Sequence, residues 1–190
     1  VQKGLLPEPD PDIAADQYEW TRGRLREAGY EHYEISNWAK PGRRCMHNLV
    51  YWQAESYLGM GAGAHSFFAG QRFANVDAPN RYEEAVKASY EERQATGKGT
   101  LQQIAGGETP DADTLRADAA ILGLRLLDGI DEAAFAEKFG VTLDEAFGAA
   151  LTRHLGLGLL ERSDGRVRLS ERGLLLSNEV FIDLLPEPAE

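Results

Sequence analysis

Apolar residues recur along the chain with two periods, and the points where one gives way to the other mark its elements. Asp10-Pro11 offers an N-cap followed by proline at the first helical position, and Ala14, Tyr18, Thr21, Leu25 and Ala28 follow at steps of four, three, four and three. The spacing predicts a helix with one inward face, stopped by Gly29. From Glu31 to Ser36 the period falls to two: Tyr33 and Ile35 point one way, His32, Glu34 and Ser36 the other, as in a strand with one apolar face. A helix followed at once by a strand is the repeat of an α/β layer or barrel. Residues 37–48 lose the pattern, carry Pro41-Gly42 as a turn, and predict a loop. Residues 1–9, with three glycine or proline breaks, read as the tail of a connection.

Tyr57 to Ser66, YLGMGAGAHS, reads as a glycine-rich strand end whose bare backbone either approaches a ligand or packs closely on a neighbour. Gly59, Gly61 and Ala64 fit the loose dinucleotide fingerprint, but Phe67-Phe68-Ala69-Gly70 is a poor start to the helix that must follow, so no nicotinamide site is expected. His65 is expected to bond a nearby backbone carbonyl. Tyr82, Val86 and Tyr90 predict a helix from about Pro79 to Tyr90, after which residues 91–108 lose periodicity and gain four glycines. A boundary is expected there, giving domains over 1–90 and 109–190 joined by a linker at 91–108.

The second part reads as helices. Thr109-Pro110 opens one in which Leu115, Ala119, Leu122 and Leu126 share a face up to Gly129; Asp131 caps a short one; Thr142 and Glu145 form a capping box for a third, ending near Gly156. Leu159 to Leu169 predicts a hairpin turning on Asp164-Gly165, and Glu171 to Leu185 a final helix. Three helices, a hairpin and a helix resemble a winged-helix variant, a shape often met on DNA. The charge opposes that use: from Thr109 onward 16 acids face 8 Lys and Arg, where phosphate contact wants an excess of cations.

Composition narrows the class further. The 190 residues are 43% apolar and 27% charged, ordinary for a globular protein, with a formal net charge of −11 that argues against nucleic acid as a partner. No apolar run approaches the roughly 20 residues of a membrane span and no export signal is evident, so a cytoplasmic protein is expected, with membrane association at most peripheral and through partners. Cys45 is the single cysteine, which excludes a disulfide within the chain and any multi-cysteine metal site built by it alone. Val1 in place of Met suggests that a piece precedes it.

His47-Asn48-Leu49-Val50-Tyr51-Trp52 is the segment richest in chemistry. Imidazole is the commonest protein metal ligand and a usual axial ligand of haem iron, and Tyr and Trp bring flat apolar faces with one polar handle each. The segment ends a loop that follows a strand, where α/β folds carry ligand chemistry. Lys40, Arg43 and Arg44 lie close enough in sequence to meet two carboxylates such as haem propionates; a solvated basic loop is the competing reading. A structural histidine is the alternative for His47.

YEISNWAKPG (Tyr33 to Gly42), HNLVYW (His47 to Trp52), YLGMGAGAHS and ILGLRLLDGID (Ile121 to Asp131) together resemble the C-terminal part of the oxygen-independent coproporphyrinogen III oxidase-like radical SAM proteins, and HNLVYW resembles the HNxxYW signature of their haem chaperone branch. The resemblance runs along nearly the whole chain. It implies the terminal helix-strand units of a radical SAM barrel, a partial TIM-like α/β architecture, in residues 1–90, then a mostly helical, winged-helix-like C-terminal domain with a β-hairpin. A whole barrel of this kind takes about 200 residues or more. Its 4Fe-4S cluster needs three thiolates, so the cluster, SAM and the radical chemistry would belong to a missing N-terminal half. By the resemblance, His47 is the axial ligand of haem, Tyr51 and Trp52 flank the macrocycle, Asn48 orients the imidazole or bonds a propionate, and Gly61, Ala62 and Gly63 line the SAM pocket. The function implied is haem binding and delivery to respiratory haem proteins. The alternatives are oxidative decarboxylation of coproporphyrinogen III, with the basic loop as a carboxylate clamp, and a docking module in which His47 is structural.

Overall fold

The computed structural model describes residues 10–186; the connection expected over residues 1–9 lies outside them. Of the described residues, those up to Trp52 together with those from Arg116 onward form one compact unit, and Gln53–Leu115 form another.

The first unit opens with α1 (Pro11–Glu27), whose Asp10 carboxylate accepts from the Asp12 N–H at 2.9 Å, with Gly29 at φ +74° just past its end. The strand expected over Glu31 to Ser36 is shorter and turns back on itself: β1 (Glu31–Glu34) pairs antiparallel with β2 (Asn37–Ala39), inside the expected loop, with Glu31 opposite Ala39 and His32 opposite Trp38. The register shifts between His32 and Glu34, so Tyr33 and Glu34 are both buried where alternation placed Glu34 outside. The rest of that loop also holds a helix, α2 (Met46–Trp52).

From Arg116 onward the expected winged-helix-like elements appear. α4 (Ala112–Arg125; α3 belongs to the other unit) buries Ala117, Ala120 and Leu124, while Leu115, Leu122 and Leu126, expected to share its core face, are half-buried. Steps of three and four occur in both sets, and packing selected the one with the smaller side chains. Asp131 caps α5 (Glu132–Phe139), and the Thr142–Glu145 capping box opens α6 (Leu143–Gly156) with both reciprocal bonds formed. β7 (Leu160–Ser163) and β8 (Arg166–Leu169) turn through Asp164 and Gly165, both at positive φ. β6 (Ile130–Asp131), too short to show in the periodicity, adds a third strand in the order β6-β8-β7. The final helix is two pieces, α7 (Glu171–Leu175) and α8 (Ser177–Ile182). Leu124, Phe135, Leu143, Leu151, Val167 and Val180 form the centre of one core, each contributing about 1.5–3 kcal/mol of transfer free energy.

In the second unit β3 (His65–Phe68), β4 (Gln71–Asn75) and β5 (Ile104–Glu108) form an antiparallel sheet in that order, with α3 (Pro79–Thr96) between β4 and β5. The expected linker 91–108 therefore holds the last six residues of α3 and a whole strand. Gly106 and Gly107 sit in β5 facing Ala74 and Phe73, and a sheet position with no side chain leaves no apolar period to read. The buried residues among those described in this unit are Ser66 and Asn75, both polar.

Candidate functional site

HNLVYW lies on a helix of seven residues, so its pairs at four-residue spacing decide which side chains meet. His47 and Tyr51 are one pair: the Tyr51 hydroxyl lies 2.9 Å from His47 Nε2, and the rings meet edge to face at 4.8 Å. His47 is exposed, and no other hydrogen bond to its ring occurs among the described residues. Asn48 and Trp52 form the next pair, about 100° further round the helix. The Arg125 guanidinium, from the last residue of α4, covers Trp52 at 4.4 Å from its ring centroid. The segment thus has two faces, one offering imidazole and phenol, the other fastened to the fold.

That fastening continues inward. Arg125 Nη2 lies 3.4 Å from Glu34 Oε2 and 3.4 Å from Ser36 Oγ, and the Asn37 side-chain amide donates to Glu34 Oε1. Glu34 is 0% exposed, and a carboxylate taken wholly out of water is tolerated only when paired and hydrogen-bonded in this way. Sequence reasoning missed both residues. Strict alternation put Glu34 in solvent, and Arg125 sits where a cation in the last turn of a helix needs no further explanation. The signal that was present is the charge interrupting the apolar run ILGLRLL.

The three basic residues before the motif have different roles. Lys40 donates to the Ala28 carbonyl at the end of α1 and lies 4.3 Å above the Tyr30 ring. Arg44 pairs with Asp128 at 3.0 Å and with Glu31 at 3.9 Å. Arg43 is exposed and makes no ion pair among the described residues, which leaves it the cation open to a ligand carboxylate. Beside them, between α1 and the β1-β2 hairpin, lies a groove of ≈ 630 Å³ lined by Arg22, Arg26, His32, Trp38, Arg44 and Leu127. His32 stacks on Trp38 at 4.4 Å, and burial holds its pKa below the ordinary imidazole value against the opposing effect of the Ile35 carbonyl. Glu19, Glu31 and Glu171 also line the groove, so it has no net sign of charge.

Gly61, Ala62 and Gly63 belong to the second unit, where the glycine-rich segment is closed on itself. Asn75 Nδ2 donates to the Gly59 and Gly61 carbonyls at 3.2 and 2.9 Å, the Gly59 N–H donates to Ser66 Oγ, and the Gly61 N–H to the Tyr82 hydroxyl. A Cβ on Gly59 would lie 2.2 Å from the His65 carbonyl oxygen, so close packing is what requires glycine at that position. Ser66 and Asn75 are the residues here that the sequence did not single out. The strand after this segment runs into a hairpin with β4, not into a helix. His65 is exposed at the start of β3, and no bond from its ring to a carbonyl occurs among the described residues. Among the described residues, no group of three or more His, Cys, Asp or Glu could hold a metal ion, and no helix is long and apolar enough to cross a membrane.

Comparison with known proteins matches these features to one group. Residues 111–176 match the HemN C-terminal domain. The chain is 36% identical over 188 residues to heme chaperone HemW of Bacillus subtilis (strain 168), covering 98% of this chain and 46% of that protein. It is 36% identical over 185 residues to heme chaperone HemW of Mycobacterium tuberculosis, covering 97% and 43%. The mouse mitochondrial radical S-adenosyl methionine domain-containing protein 1 is 32% identical over 202 residues, covering 100% and 43%. Among solved structures, coproporphyrinogen III oxidase (HemN) from Escherichia coli, a radical SAM enzyme, superposes with a TM-score of 0.62 at 17% identity, over 93% of this chain and 42% of that one, which shows a shared fold. The chain spans just under half the length of the curated relatives it matches. It belongs to the HemN/HemW family of radical SAM proteins, corresponds to the C-terminal portion of its members, and is related to the family's haem-handling branch.

Proposed function

We propose that the chain is the haem-binding C-terminal portion of a HemW-type haem chaperone, and that His47 is its ligand to haem iron. The observation that carries this is the exposed His47 imidazole, held at Nε2 by Tyr51 on the face of α2 turned away from Arg125. The donor set suits the cargo: haem iron offers an axial position that imidazole fills, and propionates suit a free guanidinium such as Arg43. Tyr51 would set its ring edge beside the macrocycle, the half-buried Asn48 would orient the imidazole or bond a propionate, and Trp52 supports the helix from behind. Lys40 and Arg44 act on the fold before the ligand, since each already has a partner.

In this reading residues 1–90 are the last units of a radical SAM barrel and 109–190 the family's C-terminal domain. The cluster and SAM are held by the part of the longer relatives that this chain does not span, because Cys45 is one thiol where three are needed. Gly61, Ala62 and Gly63 contribute the shape of the SAM pocket, with the Gly61 and Gly63 N–H groups already donated inside their own unit. Delivery to respiratory haem proteins in the cytoplasm, and membrane contact only through those acceptors, follow from the same reading. Coproporphyrinogen III decarboxylation has in its favour only the likeness to HemN, which at 17% identity speaks for the fold.

The test is a haemin titration of the chain and of His47→Ala, followed in the Soret band. Loss of the His47-dependent band position, with affinity at least tenfold weaker, is expected; matching spectra and affinities for the two proteins would remove His47 as the ligand.

A further inference from the structure

We propose that Arg125 is the positioning residue of the ligating helix: it sets the rotation of α2 through Trp52 and is itself fixed by the buried Glu34. This rests on the assignment of His47 as ligand.

A helix of seven residues does not hold its own place in water, and none of the residues of α2 is fully buried, so its orientation depends on a few tertiary contacts. One of these is the cation over the Trp52 indole, which enters from the end of the fourteen-residue helix α4. Both the side chain and the main chain of Arg125 are tied to the β1-β2 hairpin. Its carbonyl accepts from the Ile35 N–H at 3.0 Å, the Leu127 N–H donates to the Tyr33 carbonyl at 3.1 Å, and Nη2 reaches Glu34 and Ser36. The guanidinium is thereby tied through Nη2 to the hairpin while its carbon sits over the Trp52 ring, two contacts that a lysine ammonium would not reproduce together.

The geometry on α2 then follows. Trp52 is held on one face, and the His47–Tyr51 pair projects about 100° away from it. Freeing Trp52 lets the helix roll or fray at its C-terminal end, where Tyr51 carries the hydroxyl that meets His47 Nε2. The effect of Arg125 on His47 and Tyr51 passes through Trp52 and the helix.

A merely structural role, the neutralising of Glu34, predicts something different, and the double variant Glu34→Gln/Arg125→Gln separates the two. It removes both charges together, so the thermal midpoint lost in Arg125→Gln should largely return. Positioning does not return: haemin affinity should stay about tenfold weaker than in the parent chain, with a displaced Soret maximum. Before haem is added, the ring-proton NMR shifts of His47, assigned among the four histidines by their absence in His47→Ala, should differ from the parent. Trp52→Leu, which leaves Glu34 and Arg125 paired, should move the same His47 signals. Parent-like His47 signals in both variants overturn the proposal, as does parent-like haemin binding by the double variant. Should His47→Ala itself bind haemin as the parent does, the ligand assignment falls, and the NMR comparison still decides whether Arg125 positions α2.

Discussion

Replacing Tyr51 with phenylalanine tests which nitrogen of His47 would face the iron in the proposed haem site. Two tautomers fit a 2.9 Å contact between the hydroxyl and Nε2. In one, Nε2–H donates to the phenol oxygen and Nδ1 offers its lone pair; in the other, the phenol donates to Nε2. A metal-bound histidine ordinarily donates its other N–H to a neighbouring acceptor, which fixes the ring and raises its basicity, so the first arrangement predicts ligation through Nδ1. A net hydrogen bond contributes about 0.5–1.5 kcal/mol, and exposure of His47 places this one in the lower half of that range. Tyr51→Phe should therefore weaken haemin about two- to fivefold. It keeps the edge-to-face ring contact at 4.8 Å, so folding stability should fall by no more than about 1 kcal/mol, the hydrogen bond alone. Haemin titration at fixed ionic strength, with urea unfolding of both proteins as control, measures both quantities. Tighter binding by Tyr51→Phe would refute the assignment, because it would mean that the phenol competes with iron for Nε2.

Other substitutions and conditions examine the rest of the first unit. Arg43→Ala should weaken haemin about two- to fivefold and flatten its salt dependence, whereas Lys40→Ala should mainly lower stability by about 0.5–1 kcal/mol through the lost contact with Tyr30, as urea unfolding would show. Burial lowers the His32 pKa in the folded chain, so below about pH 6.5 the unfolded state binds the extra proton and stability falls with pH; His32→Gln should reduce that slope between about pH 7 and 5 in unfolding titrations. Gly173→Ala would place a Cβ 1.9 Å from the Leu159 carbonyl oxygen, inside the main core, and should cost about 2 kcal/mol or more in thermal or urea unfolding; a parent-like midpoint would mean that the turn before β7 yields easily.

The elements that local chemistry determines were legible in the sequence. The cap and proline at Asp10-Pro11, the reciprocal bonds of Thr142 and Glu145, and the Asp164-Gly165 turn each depend on side chains within three residues of one another. What was not legible depends on partners far along the chain. Glu34 is inward because Arg125, 91 residues away, compensates it, and alternation within six residues carries no trace of that. β6 and β5 escape for another reason: two residues show no period, and Gly106-Gly107 offers nothing to alternate. The candidate site was found by residue type and not by structure. HNLVYW was expected at the end of a loop, and its being helical is what separates His47 and Tyr51 from Trp52, residues that a flat reading of the motif had set on one ligand.

The division into units determines which of these ideas the chain itself can test. His47, Tyr51, Trp52, Arg125, Glu34 and Arg43 all fall in the unit that owns the apolar core around Leu124, Val167 and Val180. Among the described residues of the other unit, Met60 is 90% exposed and the buried side chains are polar, so little hydrophobic free energy holds that part by itself. Local opening should begin there and leave the first unit folded. The proposed haem ligation through His47 would then be a property of the core-bearing unit and should survive conditions that loosen the Gly59–Gly63 segment. A SAM contact through that segment has no such independence, since its backbone donors are already bonded to Tyr82, Ser66 and Val76. The two cofactor assignments that the motifs suggested together are thus separable in this chain, and mild denaturant should remove the second unit's amide protection while the His47-dependent Soret band persists.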